Sequence, residues 1–429
     1  MYSLALLRDF REHGELVAFC DLNQTRMDYW NQYYKEELGI DPLPTYTVDR
    51  LDAMVAEQKV DTVIVTTMDR VHHRYICRAM ELGCDAITEK PMTVDAEKCQ
   101  QILDTVKETG KSLRVTFNYR YAPRNSKVRE LIQDGVIGDV ISVHFEWLLD
   151  TVHGANYFRR WHRFKPNSGG LMVHKATHHF DLVNWWIDSR PKTVFAMGGL
   201  RFYGRENAEL RGVQNFYEHA HLSEHSKNDP FALHIPQNKG AQKDKKSKLT
   251  GLYMDAKHED GYVPDYSVFG DGISIEDDMA VMVRYANKAT LTYHLTAYSP
   301  WEGYRVSFNG TKGRIEYNVQ EKSYNSGAED DANQAPVDGK VLEVPEPTNI
   351  FVRPHWQKPI QVEMPQKSEG GHGGGDRRLL DDIFVGGKDD PLKRAANHVG
   401  GAYSILTGIA ANRSFNTASP VEVDELVKF

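Results

Sequence analysis

The sequence has few cysteines, no long apolar run and no excess of positive charge, and each absence excludes a class of protein. Four cysteines in 429 residues, none in C-x-x-C spacing, exclude a disulfide scaffold and a zinc ribbon. No stretch approaches the roughly 18 apolar residues of a membrane span. Lys and Arg number 52 against 60 Asp and Glu, so the net charge is −8. We therefore expect a globular cytoplasmic protein with neither a nucleic acid nor a membrane as partner.

The first 120 residues alternate between strand-like and helix-like patterns. β-branched or apolar runs at 16–21, 60–67, 85–91 and 113–118 are separated by amphipathic segments, several of which end at a glycine. This alternation predicts right-handed βαβ units on a parallel sheet, whose ligands bind at the carboxyl ends of the strands. Asp21, Thr66, Glu89 and Asn118 lie at such ends.

From residue 121 onward, strand-like patterns dominate the chain. Alternating runs at 193–202, 279–285, 289–296, 304–309 and 314–318 predict strands, and patterns at 124–133 and 170–187 predict helices. We expect an α+β domain over residues 121–429, with a large, mostly antiparallel open sheet that carries helices on one face. A polar, irregular insertion interrupts it at about 204–271.

The stretch Glu89-Lys90-Pro91 is the first that points to chemistry. A lysine at the end of a parallel strand projects into the ligand crevice, where it can hydrogen-bond a substrate hydroxyl and share its proton. Pro91 fixes the backbone beside it. The alternative is a surface lysine in a turn.

The predicted helix over 170–187 carries ionisable side chains in an apolar sequence. His174, His178 and Asp181 share one face because their spacing is i, i+4 and i+7. Such groups are costly to bury unless they line a site, and a histidine there can act as a general base. The two histidines also have the spacing of helical zinc ligands. Position 175 is a lysine where zinc proteases carry a glutamate, so we predict no metal.

Two further features concern ligands. Loops at 117–123 and 153–162 combine arginines with aromatic rings, which suits a polyhydroxylated ligand, although either could be a core or interface cluster. Asp21 can accept hydrogen bonds from the adenosine ribose and repel a 2′-phosphate, which favours NAD. Arg26 keeps NADP open as an alternative because it could bind a phosphate.

Together these motifs resemble the Gfo/Idh/MocA oxidoreductases, the family of glucose–fructose oxidoreductase and inositol dehydrogenase. The resemblance rests on Glu89-Lys90-Pro91, the Gly169-Gly170 helix with His178 and Asp181, and the Gly310-Thr311-Lys312-Gly313 turn, and covers nearly the whole chain. It implies a Rossmann-like NAD(P)-binding domain over residues 1–120 followed by the α+β domain. The implied reaction is hydride transfer between the nicotinamide and a hydroxyl-bearing carbon of a sugar, inositol or glycoside, in a homo-oligomer.

From the resemblance and the strand ends we assign expected roles to individual residues. The expected acid/base groups are Lys90, His178 and His174. The expected NAD contacts are Asp21, Asn23, Arg26, Thr66, Thr67, His72, Glu89, Lys90 and Asn118. The expected substrate contacts are Arg120, Tyr121, Arg160, Trp161, Lys175 and His179.

Two departures from the family pattern leave alternatives open. His174 stands where the family's dehydrogenases usually carry an aspartate. A glycosidase or lyase that oxidises its sugar transiently is therefore an alternative function. A non-catalytic nucleotide- or sugar-binding homologue and a metal-dependent lyase or hydrolase are further alternatives. Met1 stands where the first helix of the family begins, so we expect the first strand and its glycine loop to be missing, with an upstream export signal still open.

Overall fold

The N-terminal part of the chain alternates helices and short strands, as predicted. The structure is a computed structural model that describes residues 1–236, 247–325, 348–365, 371–387 and 389–429. The first elements are α1 (Tyr2–Arg8), β1 (Phe19–Cys20), α2 (Gln24–Leu38), β2 (Thr45–Tyr46), α3 (Leu51–Gln58), β3 (Thr62–Val65), α4 (His72–Glu81), β4 (Asp85–Thr88), α5 (Ala96–Thr109) and β5 (Leu113–Val115).

Local signals explain where these helices start and stop. The side chain of Asn23 accepts a hydrogen bond from the Arg26 amide at the start of α2, and Asp95 caps α5 in the same way. Both helices end at a glycine with positive φ, Gly39 and Gly110. These caps satisfy the backbone groups at the helix ends and define the bounds of α2 and α5.

The N-terminal strands form two separate sheets. β3, β4 and β5 are parallel neighbours, so that Thr66 and Glu89 emerge at the same edge. β1 pairs in parallel with β2, a two-residue strand that has too little alternation to be predicted. In the part of the chain that the structure describes, no ladder joins β1 to β3.

The remaining elements build the second domain around one large sheet. They are α6 (Pro123–Gln133), β6 (Val140–Asp150), α7 (Thr151–Arg159), α8 (Lys165–Ser168), α9 (Leu171–His174), α10 (Thr177–Trp186), β7 (Pro191–Gly199), α11 (Arg205–Leu210), α12 (Lys257–Asp260), β8 (Asp278–Tyr285), β9 (Thr290–Ser299), β10 (Glu302–Gly310), β11 (Gly313–Lys322), β12 (Asn349–Pro354), β13 (Ile360–Gln361), α13 (Gly371–Phe384), β14 (Ala396–Asn397), α14 (His398–Thr417) and β15 (Val421–Glu422). β14 leaves this domain and adds an antiparallel edge to β5.

The large sheet confirms the predicted fold class. Its nine strands run in the order β13-β12-β11-β10-β6-β9-β8-β7-β15, and only β6 and β9 pair in parallel. Alternate residues of β6, such as Phe145 and Trp147, are buried against the helices, while His144 faces outward. Across the described residues, no helix is both long and apolar enough to cross a membrane.

The single helix predicted over 170–187 is wrong in its continuity, because α9 and α10 are separate helices. The Ala176 amide bonds to the carbonyl of Leu171, five residues back, and the His179 amide to that of Ala176, three residues back. The i to i−4 ladder is therefore interrupted between His174 and Thr177. Spacing along one helix face no longer fixes how His174 and His178 lie relative to each other.

Helix α14 packs closely against α9 through a glycine. A Cβ atom added at Gly408 would overlap the carbonyl oxygen of Met172, two residues before His174. At Gly400, in the first turn of the same helix, an added Cβ would lie 3.5 Å or more from its neighbours. The absence of a side chain at Gly408 thus sets how near α14 comes to the helix that carries His174.

We predict that Gly408→Ala lowers the free energy of unfolding by about 1–3 kcal/mol, the usual cost of overpacking a close contact. Gly400→Ala is the matched control and should be neutral or slightly stabilising, because alanine favours the helix by up to about 1 kcal/mol. Urea unfolding of the two variants measures both effects. Equal stabilities for the two variants would contradict the close-packing account.

Candidate active site

Lys90 lies where the two domains meet. It follows β4, and its peptide bond to Pro91 is cis. Its Nζ donates a hydrogen bond to the carbonyl oxygen of His174 at 3.2 Å, which joins the ligand edge of the first sheet to the second domain. Burial lowers the pKa of Lys90, although Asp69 and Glu89 act in the opposite direction. A lysine in this state gives up a proton more readily than an exposed one.

Asp69 and His174 form a buried pair beside Lys90. Asp69 lies in a short turn after β3, and its Oδ2 is 2.5 Å from His174 Nδ1. Burial raises the pKa of Asp69 to about 7, although His72 and Lys90 lower it. Burial and the charge of Lys90 hold the pKa of His174 well below its usual range. Both shifts favour the uncharged forms, so His174 is a neutral imidazole at physiological pH.

Asp69 was not among the predicted site residues. Its partner lies 105 positions away in the sequence, so no local spacing relates the two. The available signal was an acidic residue just after a strand that ends in the ligand crevice.

His178 is a buried imidazole with an unsatisfied nitrogen. Its Nδ1 has no hydrogen-bond partner, and its ring centroid lies 4.8 Å from that of Tyr119 and 6.1 Å from that of His372. Burial lowers its pKa well below the usual value, and the positive charges of Lys90 and Lys175 add to this. A neutral histidine with a free ring nitrogen is suited to accept a proton.

The predicted loop residues Arg160 and Trp161 lie next to His162, and His162 brings this loop against His174. The ring of His162 stacks on Trp161 with centroids 3.7 Å apart and lies 4.3 Å from the ring of His174. His162 Nδ1 and Arg160 Nε are buried without hydrogen-bond partners. His162 was not predicted as a site residue, although it closes the loop that was singled out.

Lys175 and His179 are both held by the large sheet. The Nζ of Lys175 lies 4.9 Å from the ring centroid of Trp147, and burial lowers its pKa to about 8. His179 stacks on the same tryptophan at 3.9 Å, and its Nδ1 is 2.6 Å from the hydroxyl of Tyr293. His179 is fully buried, so its polar contact is internal to the domain.

Arg120 and Tyr121 have their polar atoms engaged within the protein rather than in the cluster. Arg120 makes a bidentate ion pair with Asp181, with Nε–Oδ2 at 2.7 Å and Nη2–Oδ1 at 2.5 Å, and both side chains are buried. The hydroxyl of Tyr121 accepts a hydrogen bond from Arg114 and donates one to Asp382. The pair formed by Arg120 anchors α10 to the turn after β5.

A glycine-rich segment at the start of α13 brings His372 to the site. His372, Gly373 and Gly374 have positive φ, and a Cβ atom at Gly375 would overlap the carbonyl of Asn118. Asn118 Nδ2 lies 2.9 Å from His372 Nδ1 and 2.8 Å from Asp376 Oδ1. The run Gly371-His-Gly-Gly-Gly-Asp376 is the sequence signal for this close approach.

Four of the predicted nucleotide contacts surround Lys90. Thr66 and Thr67 are exposed at the end of β3, and the carbonyl of Thr67 lies 2.9 Å from His72 Nε2. His72 Nδ1 lies 2.8 Å from the carbonyl of Pro91. Glu89 accepts a hydrogen bond from the Tyr2 hydroxyl at 2.8 Å. The ligand edge of the first sheet is thus held by hydrogen bonds of His72 to backbone carbonyls and of Glu89 to Tyr2.

Three further predicted nucleotide contacts, Asp21, Asn23 and Arg26, lie beside β1, under the insertion. Asp21 Oδ1 accepts from the Asn23 amide, and Asn23 Nδ2 donates to the carbonyl of Ala256 at 3.0 Å. Arg26 forms an ion pair with Asp260 at 2.6 Å. Residues 250–260 of the second domain therefore cover this end of the nucleotide-binding domain.

Several buried polar atoms around the cluster have no hydrogen-bond partner within the protein. Buried polar atoms in proteins are almost always hydrogen-bonded, so each exception calls for a partner. The exceptions around the cluster are His178 Nδ1, His162 Nδ1, Arg160 Nε and Asn118 Oδ1. Donors and acceptors of this kind fit a nicotinamide ribose and a polyhydroxylated substrate.

Comparison with known proteins gives the same picture over the whole chain. A family model described as the NAD-binding Rossmann fold of an oxidoreductase family matches residues 2–117, and one described as its C-terminal α/β domain matches residues 129–423. YteT of Bacillus subtilis, a protein described as an oxidoreductase, is 35% identical over 441 residues, covering 99% of this chain and 95% of YteT.

Two further matches concern characterised activities. Inositol 2-dehydrogenase of Rhizobium meliloti is 31% identical over 149 residues, which are 35% of this chain and 43% of that protein. The solved structure of levoglucosan dehydrogenase in complex with NADH is 17% identical, with a TM-score of 0.59 over 95% of this chain and 89% of that chain. The latter likeness shows the fold.

The Asp69 pKa yields a pH-dependent prediction. Because its pKa rises from 3.8 in the unfolded chain to about 7 in the fold, its contribution to stability is lost as pH rises from about 4 to 7. Asp69→Asn lacks this loss. The stability of the variant relative to the wild type should therefore increase over that range and level off above it. Urea unfolding at pH 4.5 to 8.5 measures the difference, and parallel profiles for the two proteins would contradict the assignment.

Proposed function

Since the chain belongs to the Gfo/Idh/MocA oxidoreductase family, we propose that it is an NAD-dependent dehydrogenase of a sugar, cyclic polyol or glycoside. The convergence of Lys90, His174 and His178 at the ligand edge of the first sheet carries the proposal. These groups come from both domains, as a site between a nucleotide and a second substrate requires. The match to an inositol dehydrogenase supports this substrate class.

The proposed chemistry divides between Lys90 and His178. Bound NAD supplies the hydride acceptor. The neutral imidazole of His178, with its unpartnered Nδ1, takes the hydroxyl proton of the substrate. Lys90, whose pKa is lowered by burial, hydrogen-bonds the same oxygen. His174 is fixed by Asp69 and orients Lys90 through its backbone carbonyl.

We assign the cofactor to residues 1–120 and the substrate to residues 121–429. Thr66, Thr67, Glu89 and Lys90 lie where the nicotinamide half would bind, and Asp21 lies where the adenosine ribose would bind. Arg160, Trp161 and Lys175 are the sequence-predicted substrate contacts that the geometry supports best, because they are the ones adjacent to His162 and His174.

We further propose that the insertion enforces the preference for NAD over NADP. An NADP site needs positive charge or helix N-terminal amides for the 2′-phosphate. Here the carboxylate of Glu259 already accepts hydrogen bonds from the amides of Gln24 and Thr25, at 2.6 and 2.8 Å. Asp260 pairs with Arg26, the nearby cation. Two carboxylates from the second domain therefore occupy the groups that would hold a phosphate.

A glycosidase or lyase that oxidises its sugar transiently is the second candidate function. The observation in its favour is the number of histidines around the cluster, because His162 and His372 add to His174 and His178. Elimination across a sugar ring needs a base and an acid beyond those of the oxidation step. Release of the aglycone from a glycoside with no net formation of NADH identifies this activity.

Self-association is a further proposal, based on the outer face of the large sheet. Met197 and Met282 are 66% and 54% exposed there, beside a groove of about 690 Å³ that also includes Phe195. A second copy of the chain is the proposed partner.

The four cysteines are free, which supports a reducing compartment such as the cytoplasm.

The catalytic assignment predicts a large loss of turnover in Lys90→Ala. Removing a general acid–base group typically costs at least about 10²-fold, and His178→Gln should behave alike. NADH formation is measured with a panel of inositols, aldoses and glycosides. Lys98→Ala, at the surface beside Asp95, is the control that should retain wild-type turnover. Wild-type rates in Lys90→Ala on a confirmed substrate would refute the assignment.

The cofactor assignment predicts a change of selectivity in the double variant Glu259→Gln, Asp260→Asn. Freed from the two carboxylates, Arg26 and the α2 amides should bind the 2′-phosphate, so the ratio of NAD to NADP affinity should fall about tenfold or more. Titration calorimetry with both nucleotides measures the ratio. Glu224→Gln removes an exposed carboxylate elsewhere in the insertion and is the control. An unchanged ratio in the double variant contradicts the proposal.

A further inference from the structure

Two histidines and an aspartate converge in the insertion, away from the proposed active site. His219 immediately precedes a short 3₁₀ helix over 220–222 that carries His221, and Asp265 lies on a second stretch that is bridged to the first between His219 and Tyr266. Among the described residues, this is the one place where at least three histidine, cysteine or carboxylate side chains converge. Their potential metal-ligand atoms all lie within 4.8 Å of one another.

The two imidazoles contact different oxygens of one buried carboxylate. His219 Nδ1 is 2.7 Å from Asp265 Oδ1, and His221 Nδ1 is 2.7 Å from Asp265 Oδ2. Asp265 has no exposed surface, and the side chains of His219 and His221 are 15% and 9% exposed.

Backbone hydrogen bonds fix the positions of the three side chains relative to one another. The His221 amide donates to Asp265 Oδ2 at 2.8 Å, and the Ala220 amide donates to the Asp265 carbonyl at 2.9 Å. The ring of Tyr266 packs on that of His219 with centroids 4.1 Å apart. The arrangement is thus built by the fold on both stretches, and the carboxylate cannot turn away without losing these bonds.

Imidazole nitrogens and a carboxylate oxygen are the ligand set of borderline divalent metals such as Zn²⁺. Zn–N and Zn–O bonds of about 2.0–2.2 Å place two ligand atoms roughly 3.3 Å apart in a tetrahedral site. The ligand atoms here are 2.7 Å apart where they form hydrogen bonds, so opening each contact by about half an ångström admits the ion. Each histidine then binds the ion as the neutral tautomer that carries its proton on Nε2, so the Nδ1 lone pair contacts the ion in place of the hydrogen bond to the carboxylate.

We propose that His219, His221 and Asp265 bind one divalent transition-metal ion of this class, with water completing the coordination. The site lies apart from the His174 and His178 pair, for which the sequence predicted no metal. Nothing in the sequence pattern signalled it, because 44 positions separate the carboxylate from the nearer histidine.

The position of the site indicates a positioning role. The Tyr266 amide donates to the Arg159 carbonyl at 3.1 Å, and Arg163 donates to the Ser267 carbonyl at 3.0 Å. Arg160, Trp161 and His162 lie between these two anchor points. An ion bound between Asp265 and residues 219–221 therefore stabilises the segment at 265–267, which anchors the loop at 160–162 of the proposed active site.

The test measures metal binding by the full chain, with any affinity tag removed. Chelator-treated protein is titrated with Zn²⁺ against a chromophoric competitor and with Co²⁺ by visible absorption. We expect one ion per chain and d–d bands typical of nitrogen and oxygen ligation. Asp265→Asn and His221→Gln should each weaken Zn²⁺ affinity by at least about 10-fold, the lower end reported for altered metal sites. Far-UV circular dichroism and urea unfolding check that the variants fold.

Matched controls locate the ion. His225→Gln, which changes an exposed histidine in the same insertion, and His174→Gln, in the proposed active site, should both retain wild-type affinity and stoichiometry. The proposal is overturned if the wild type binds less than one ion per chain at micromolar Zn²⁺, or if His174→Gln loses the ion while folded His221→Gln keeps it. If Asp265→Asn does not fold, the Co²⁺ spectrum of the wild type and His221→Gln decide.

Discussion

Desolvation at the junction of the two domains governs the chemistry of this chain. Lys90, Asp69, His174 and His178 are all held where burial favours their uncharged forms, which lowers the pKa values of the bases and raises that of the acid. A cluster of bases this dense would repel itself if all its members were charged. Shifting the equilibria toward neutral species lets the cluster exist, and it leaves His174 and His178 as neutral imidazoles.

The buried ion pair of Arg120 and Asp181 is the complementary case. Both groups stay close enough for two hydrogen bonds, and the pair ties the turn after β5 to α10. Losing either partner would strand a buried charge, which is far more costly than losing a surface pair. Of the sequence-predicted residues, Arg120 thus serves the site by joining the domains that form it.

The sequence predicted the parts of the fold and site that depend on local patterns. Alternation, glycine stops and strand ends were enough for the fold class and for the position of Lys90 at the end of β4. The break between α9 and α10 depends on how α14 and the large sheet pack, which no spacing records. Asp69 and His372 meet their partners across 105 and 254 positions of sequence, so only the folded chain relates them.

The insertion leaves the large sheet after β7 and returns at β8, and these strands pair directly from Gly199 and Asp278 onward. Its stem is therefore closed by the sheet itself, and the cost of closing such a loop grows only slowly with its length. A segment attached in this way can be lengthened, shortened or exchanged without shifting the register of the nine strands. The insertion contacts Asn23 and Arg26 on one side and Arg159 on the other, so both of these surroundings can change while the framework around Lys90 stays fixed.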